Sequence, residues 1–257
     1  MNKSSKKVLT EKEHWNQHYQ PGRKLPITED LNNIAFGELH LLFQKYLPKD
    51  KALKFLELGC APGSWMHYFH KYNCFQVSGI DYTKEAIDIT GRNLESLGIK
   101  KDLIKCDIFK YNFDSSYDVA FSAGLIEHFY GDALEDIVEK HFEAVKRKGY
   151  VVILIPNFSG FNLKYQKWLD SDVINLHNLE MMNMDFLKSI ASKDGRETMF
   201  IGYVGKINLG LFAGNKWLLR IGYLVQMILD KLYVLKIFPI KDSRNFSPYL
   251  VGIYKKK

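Results

Sequence analysis

From Leu53 to Ile155 the chain alternates short apolar runs with amphipathic, helix-length stretches. Leu53–Leu58, Phe75–Ile80, Asp102–Cys106, Tyr117–Ser122 and Tyr150–Ile155 read as strands, because apolar and β-branched residues dominate them and turn residues bound them. Gly63–Lys71, a stretch from Thr83 to Leu97, and about Asp132–Lys146 read as helices. Thr83 is a natural N-cap for the second of these, and Gly98 a natural stop. Strands separated by helix-length segments imply right-handed βαβ units and a parallel sheet. In front of this core, Glu11–Gln20 and Leu31–Leu47 have helical spacing. After Pro156 the rhythm changes to a polar and aromatic loop reaching about His177, then a helix ending near Gly195. Two late β-like runs follow, Thr198–Ile207 and Pro248–Tyr254, separated by a strongly apolar, helix-length stretch, Lys216–Ile240. The pattern predicts one α/β domain with a doubly wound sheet.

Composition narrows the class only slightly. The chain has 257 residues, 46% hydrophobic and 25% charged, which excludes disordered and fibrous proteins. Its formal net charge of +7 admits an anionic partner without choosing among nucleic acid, membrane surface and phosphorylated substrate. Much of the excess sits in Lys3, Lys6 and Lys7 and in Lys255–Lys257, read as solvated, disordered termini. Cys60, Cys74 and Cys106 have neither paired nor metal-ligand spacing, and no apolar segment follows the basic start. A cytoplasmic protein is expected.

The run Phe55-Leu-Glu-Leu-Gly-Cys-Ala-Pro-Gly-Ser-Trp65 sets a strand directly before a small-residue turn and a helix start. Gly59 and Gly63 allow a sharp turn and close approach of a ligand, and the helix N-terminus presents free N–H groups. The spacing is G-x-x-x-G, unlike the G-x-G-x-x-G of pyrophosphate binders. Asp81 ends the second strand 22 residues after Gly59, where a carboxylate accepts from ribose hydroxyls in doubly wound folds. Its alternative role, capping a helix, is already open to Thr83. Cys106-Asp-Ile-Phe109 closes the third strand, and Tyr117-Asp-Val-Ala-Phe-Ser-Ala-Gly124 ends the fourth at the switch point where ligands bind.

Taken in order, ELGCAPG, GIDYT, CDIF, YDVAFSAGLIEH and KGYVVILIPN resemble the successive motifs of class I S-adenosylmethionine-dependent methyltransferases over about Lys54–Asn157. Within that class the chain is most similar to small-molecule O-methyltransferases of the quinone-biosynthesis type. The resemblance implies a Rossmann-like seven-stranded sheet, mostly parallel with an antiparallel last strand, an N-terminal helical segment and a helical insertion before the last strand. It implies a single domain over 1–257: a helical cap at 1–50, a cofactor-binding core at 51–157, and an acceptor-side region at 158–257 with its insertion at 216–240. It also assigns S-adenosylmethionine as cofactor. Glu57, Gly59, Cys60, Ala61 and Gly63 would surround its methionine part, Asp81 would hold the ribose, and Tyr82 would pack near the adenine. Asp107 and Ile108 would flank that ring, and Ser122 would line the methyl-facing side. Ala61 departs from the family, where glycine is commoner.

Methyl transfer from a sulfonium is an in-line displacement, so positioning lowers much of the barrier and a general base matters chiefly for hydroxyl acceptors. His128, in Leu125-Ile-Glu-His-Phe129, is the candidate base; a purely structural Glu127–His128 pair is the competing reading. An RNA methyltransferase is the first alternative, since ELGCAPGSW is similar to the first motif of ribose 2′-O enzymes, but their Lys-Asp-Lys-Glu set is missing: Ser122-Ala-Gly-Leu125 stands where the aspartate belongs. There is no N-P-P-Y motif, no Pro-Cys nucleophile and no carboxylate pair for a guanidinium. A non-catalytic cofactor-binding protein of the same fold is the second alternative. A small-molecule hydroxyl, free or lipid- or carrier-linked, is the expected acceptor.

Trp15 and Tyr19 share a helix face and read either as a lid over the cofactor or as a staple to the sheet edge. His14 and His18 share the same spacing but lack an acidic third ligand, so no metal is expected. The stretch 216–240 reads as a pocket cap, a homodimer surface, a peripheral membrane contact or a buried helix over the sheet. The cap and dimer readings are preferred, because its longest uncharged run is too short to span a bilayer.

Overall fold

The computed structural model describes residues 8–257 apart from 11, 20–24, 26, 28, 213 and 238. Lys3, Lys6, Lys7, Glu11 and Gln20 therefore lie outside the described residues. Two helices lead in, α1 (Lys12–His18) and α2 (Ile34–Tyr46). There follow β1 (Lys54–Leu58), α3 (Ser64–Asn73), β2 (Gln76–Asp81), α4 (Lys84–Ser96), β3 (Lys101–Lys105), β4 (Tyr117–Ala123), α5 (Gly131–Ala144) and β5 (Val145–Pro156). The last third holds α6 (Gly160–Leu169), α7 (Met184–Ala191), β6 (Arg196–Val204), α8 (Lys216–Val234) and β7 (Tyr249–Lys256). Seven strands form one sheet in the order β3-β2-β1-β4-β5-β7-β6. β1 to β5 pair in parallel, and β7 runs antiparallel to both β5 and β6. β6 therefore points the same way as β5, and β7 alone is reversed.

The near-continuous apolar strands follow from burial on both faces. Along each strand the side chains alternate between two cores. Leu56, Leu58, Ala120, Val151 and Ile153 face one core, with Ile137 and Phe142 of α5 and Leu187 of α7. Phe55, Val119, Phe121, Val152 and Leu154 face the other, with Phe43 of α2, Met66 and Phe69 of α3 and Leu94 of α4. The chain leaves β1 toward β3 in one direction and from β4 onward in the other. β1 and β4 are thus adjacent strands with oppositely directed connections, and the crevice beyond their carboxyl ends is the switch point.

Three expectations need correction. The loop expected up to His177 contains α6 and a 3₁₀ segment, Asp172–Leu176. The buried face of α6 carries Asn162, Gln166 and Leu169, and its amides bond backbone: Asn162 donates to the Ser247 carbonyl at 2.8 Å and Gln166 to the Asp170 carbonyl at 2.9 Å. A helix buried by hydrogen bonds lacks the apolar stripe that marks one in sequence. The apolar helix ends at Val234 and not at Ile240, with Lys236 in the left-handed region at φ 57°. Lys255 and Lys256 are not a disordered tail: both lie in β7, and the Lys256 ammonium donates to the Phe142 and Val145 carbonyls at 2.8 and 2.9 Å.

Gly79 in β2 is where the sheet meets the turn after β1. A Cβ there would lie 2.6 Å from Cys60 Cβ and 2.8 Å from Met66 Sδ, both fully buried. Gly79→Ala is expected to lower unfolding free energy by about 1–3 kcal/mol through overpacking, measured by urea denaturation. An unchanged midpoint would contradict this packing.

Candidate functional site

At the end of β1 the chain must turn and expose backbone. Gly59 does so at φ 71°, in the left-handed region, and a Cβ on it would meet Leu125 Cδ1 at 3.2 Å. Its N–H stays tied to the sheet through the Ile80 carbonyl at 2.9 Å. At the end of β2, Asp81 Oδ1 accepts from the Thr83 N–H at 3.0 Å and from its hydroxyl at 3.2 Å. Thr83 in turn caps α4, its oxygen accepting from Ala86 N–H at 3.2 Å. The two roles therefore separate: Thr83 caps the helix and positions the Asp81 carboxylate. Burial pushes the Asp81 carboxyl up to about 6, although the Thr83 bonds pull the other way. After β3, Asp107 accepts from Phe109 N–H at 3.1 Å and so fixes the turn Ile108–Lys110.

These strand ends border a cavity of about 500 Å³. Gly59, Asp81, Tyr82, Asp107, Ile108 and His128 line it, joining six positions drawn from four separate motifs. The other sequence candidates stand apart from the wall. Glu57 is buried on β1. Cys60 is buried with its side chain over Gly79. Ala61 is half-buried in the turn, and Gly63 packs toward Thr90 and Leu94 of α4. Ser122 faces α5 and not the cavity. His141 Nδ1–H donates to the Ile137 carbonyl at 2.7 Å, so its Nε2 accepts the Ser122 hydroxyl at 2.8 Å. A slightly larger hollow of about 570 Å³, between α2 and the end of α8, contains none of the motif residues.

The N-terminal segment closes over the cavity. Leu9 N–H donates to the His128 carbonyl at 2.9 Å, and Val8 pairs with Phe129. Trp15 Nε1 donates to the Thr10 hydroxyl at 3.1 Å; its ring meets His128 edge-on at 5.2 Å and stacks on Tyr19 at 6.0 Å. Both aromatic residues line the cavity, as a lid does.

Beyond β4 the turn Ile126–His128 brings three ionisable side chains together. His128 Nδ1–H donates to the Leu176 carbonyl at 2.7 Å, and burial, then the nearby His177, lower its pKa to about 4. Glu127 is 1% exposed with both carboxyl oxygens unpartnered, and burial raises it to about 8. The His177 ring lies 4.9 Å from that of His128. Asn178 locks the two loops, its N–H donating to the Glu127 carbonyl at 2.7 Å and its amide to the Phe129 carbonyl at 2.9 Å. Sequence reading missed His177 because 49 residues separate it from His128. The polar, aromatic character of its segment was the only hint.

The cavity suits a nucleoside bearing an amino-acid chain. Carboxylates of Asp81 and Asp107 border it, and Tyr82 and Ile108 offer apolar surface; behind the wall, on β1, Glu57 keeps Oε2 buried without a partner. Residues 55–149 match the family described as a methyltransferase domain. A probable (S)-tetrahydroprotoberberine N-methyltransferase 2 from Papaver bracteatum is 32% identical over 75 residues, 28% of this chain and 21% of that protein. The chain thus matches about a fifth of that relative's length. Geranyl diphosphate C-methyltransferase of Streptomyces coelicolor A3(2), solved with Mg²⁺, geranyl diphosphate and S-adenosyl-L-homocysteine, superposes with a TM-score of 0.58 at 14% identity, over 85% of this chain and 80% of that one. A S-adenosylmethionine-dependent methyltransferase from Aquifex aeolicus gives 0.56 at 15% identity, over 88% and 93%. These two likenesses establish the fold. The chain thus shares its fold with S-adenosylmethionine-dependent methyltransferases, and its residues 55–149 are similar to the methyltransferase-domain family.

Proposed function

We propose that this chain transfers the methyl group of S-adenosylmethionine to a hydroxyl of a small molecule that enters beside His128. One observation carries the reading: a single cavity has Asp81 and Asp107 at the ends of β2 and β3 and a neutral imidazole beyond β4. When bound, the cofactor supplies an electrophilic methyl on a positively charged sulfur. Asp81 accepts from its ribose hydroxyls, with Thr83 holding the carboxylate in place. Tyr82, Asp107 and Ile108 border the adenine, while Gly59 lets the backbone approach. Glu57 accepts from the ammonium group, and Cys60, Ala61 and Gly63 shape the turn without side-chain contact. Ser122 supports the methyl-facing wall through its bond to His141. Trp15 and Tyr19 exclude water. His128, with Nδ1–H committed to Leu176, offers Nε2 as the acceptor for the substrate's proton.

Calorimetric titration with S-adenosylhomocysteine is expected to give micromolar binding at pH 7.5 that Asp81→Ala weakens by about 100-fold. Ribose hydroxyls favour the ionised carboxylate, whose pKa of about 6 places the transition there. Wild-type affinity should therefore be flat above pH 7 and fall about tenfold by pH 5. Binding that ignores both changes would sink the assignment. On phenol and glycan acceptors that support turnover, His128→Ala should reduce kcat by about 100-fold or more with little change in the cofactor KM. Turnover confined to RNA would favour the competing substrate class.

The acceptor is further proposed to be lipid-linked, a reading that α8 favours. This helix is built inside out. Its inward edge is polar: Asp230 accepts from Ile34 N–H at 2.9 Å and from Asn33 at 3.2 Å, Gln226 accepts from Leu209 N–H at 2.9 Å, and Tyr233 donates to Glu38. Its outward face is apolar, with Trp217 73%, Ile221 54%, Leu224 62% and Ile228 59% exposed. It neither covers the sheet nor borders the candidate cavity, against two of the expectations for 216–240. No helix among the described residues is long and apolar enough to cross a membrane. Exposed Arg220, Lys231 and Lys236 complement an anionic bilayer, on which such a helix lies flat. Co-sedimentation with phosphatidylserine-containing vesicles is expected, and Leu224→Asp/Ile228→Asp should abolish it. Concentration-dependent dimerisation without vesicle binding would assign the face to a second copy of the chain.

A further inference from the structure

Among the described residues, Glu127 stands out as a buried carboxyl, 1% exposed, with both oxygens unpartnered. A buried carboxyl left this way carries the full cost of desolvation, so it calls for a compensating partner. Two candidates, His128 and His177, lie beside it. One ligand-capable atom from each of the three residues lies within 4.8 Å of the others.

The imidazoles are set for the same purpose. His128 Nδ1 bonds the Leu176 carbonyl and His177 Nδ1 bonds the Val173 carbonyl, both at 2.7 Å. A carbonyl only accepts, so both Nδ1 atoms carry the proton and both Nε2 atoms carry a lone pair. This is the arrangement by which backbone carbonyls orient metal-bound histidines and raise their basicity. Around the cluster stand aromatic edges, Trp15 against His128 at 5.2 Å and Phe158 against His177 at 4.9 Å. No lysine or arginine forms an ion pair with Glu127 among the described residues.

We infer that Glu127, His128 and His177 form a binding site for one divalent transition metal at the acceptor end of the cavity. Two imidazole nitrogens and one carboxylate oxygen suit Zn²⁺ and its borderline-soft neighbours over Mg²⁺ or Ca²⁺, which favour all-oxygen sets. Three protein ligands leave a coordination position open. Because His128 borders the cavity, that position is available to an acceptor oxygen. The site stands without the methyl-transfer reading; only the metal's role rests on it. In that role the metal binds the acceptor hydroxyl, whose proton leaves to solvent. The resulting oxygen forms a bond to the methyl carbon as the carbon–sulfur bond breaks, and sulfur keeps the electron pair as S-adenosylhomocysteine. His128 then acts as a ligand, and the metal replaces it in activating the hydroxyl.

The test is titration of chelator-stripped full-length protein with Zn²⁺ alone by calorimetry, and with Co²⁺ alone by visible absorption. One equivalent of each is expected, with the absorption of a low-coordinate Co²⁺ site. Glu127→Gln and His177→Ala should each weaken binding by at least about 100-fold. Each variant, and His177→Gln as a gentler change, is also titrated with S-adenosylhomocysteine; retained affinity shows that the fold survives. Less than stoichiometric uptake by the wild type, or equal uptake by folded variants, would overturn the site. Metal uptake without S-adenosylhomocysteine binding would leave the site standing and remove the methyl-transfer reading instead.

Discussion

Adjacent placement of β1 and β4 is the constraint on which the rest of the chain depends. A parallel sheet covered on both faces leaves only its edges and strand ends open to ligands. Where two neighbouring strands send their connections to opposite sides, the loops part and a crevice forms. In this chain the crevice collects Gly59, Asp81, Asp107 and His128 from the ends or following loops of β1, β2, β3 and β4. Their separation along the sequence is large, and the topology alone brings them together.

Burial then sets the chemistry. Asp81, Glu127 and His128 are all removed from water, and each is driven toward its neutral form. The environments differ in what offsets this. Thr83 gives Asp81 two hydrogen bonds, and the carboxylate stays ionised at neutral pH. Glu127 has no such support. His128 is held neutral by burial and the nearby His177, and because its Nδ1–H serves the Leu176 carbonyl, the lone pair sits on Nε2. One side of the cavity is therefore built to receive hydrogen-bond donors, while the other offers lone pairs to an electrophile, a proton or a cation.

The sheet was legible in sequence because its signals are local. Leu53–Leu58 and Tyr150–Ile155 are apolar runs bounded by turn residues, and Thr83 and Gly98 mark both ends of α4. Asp81 was legible for the same reason, as a carboxylate at a strand end. Ser122 was placed on the methyl-facing side by family resemblance, but strand alternation turns it toward His141. Helix α6 escaped notice because its buried side chains include Asn162 and Gln166, polar residues satisfied by backbone carbonyls, that of Ser247 far along the chain and that of Asp170 one turn on. His177 escaped because its partnership with His128 exists only after the chain folds back past α6. Helix α8 was visible as an apolar stretch, yet which face pointed outward depended on Gln226 and Asp230 finding partners on α2 and the loop after β6.

The most direct test of the account is a crystal structure of the chain with S-adenosylhomocysteine. The ribose is expected within hydrogen-bond distance of the Asp81 carboxylate, the adenine between Tyr82 and Ile108, and the sulfur directed toward His128. A ligand seated in the hollow between α2 and α8, or a ribose with no contact to Asp81, would contradict it.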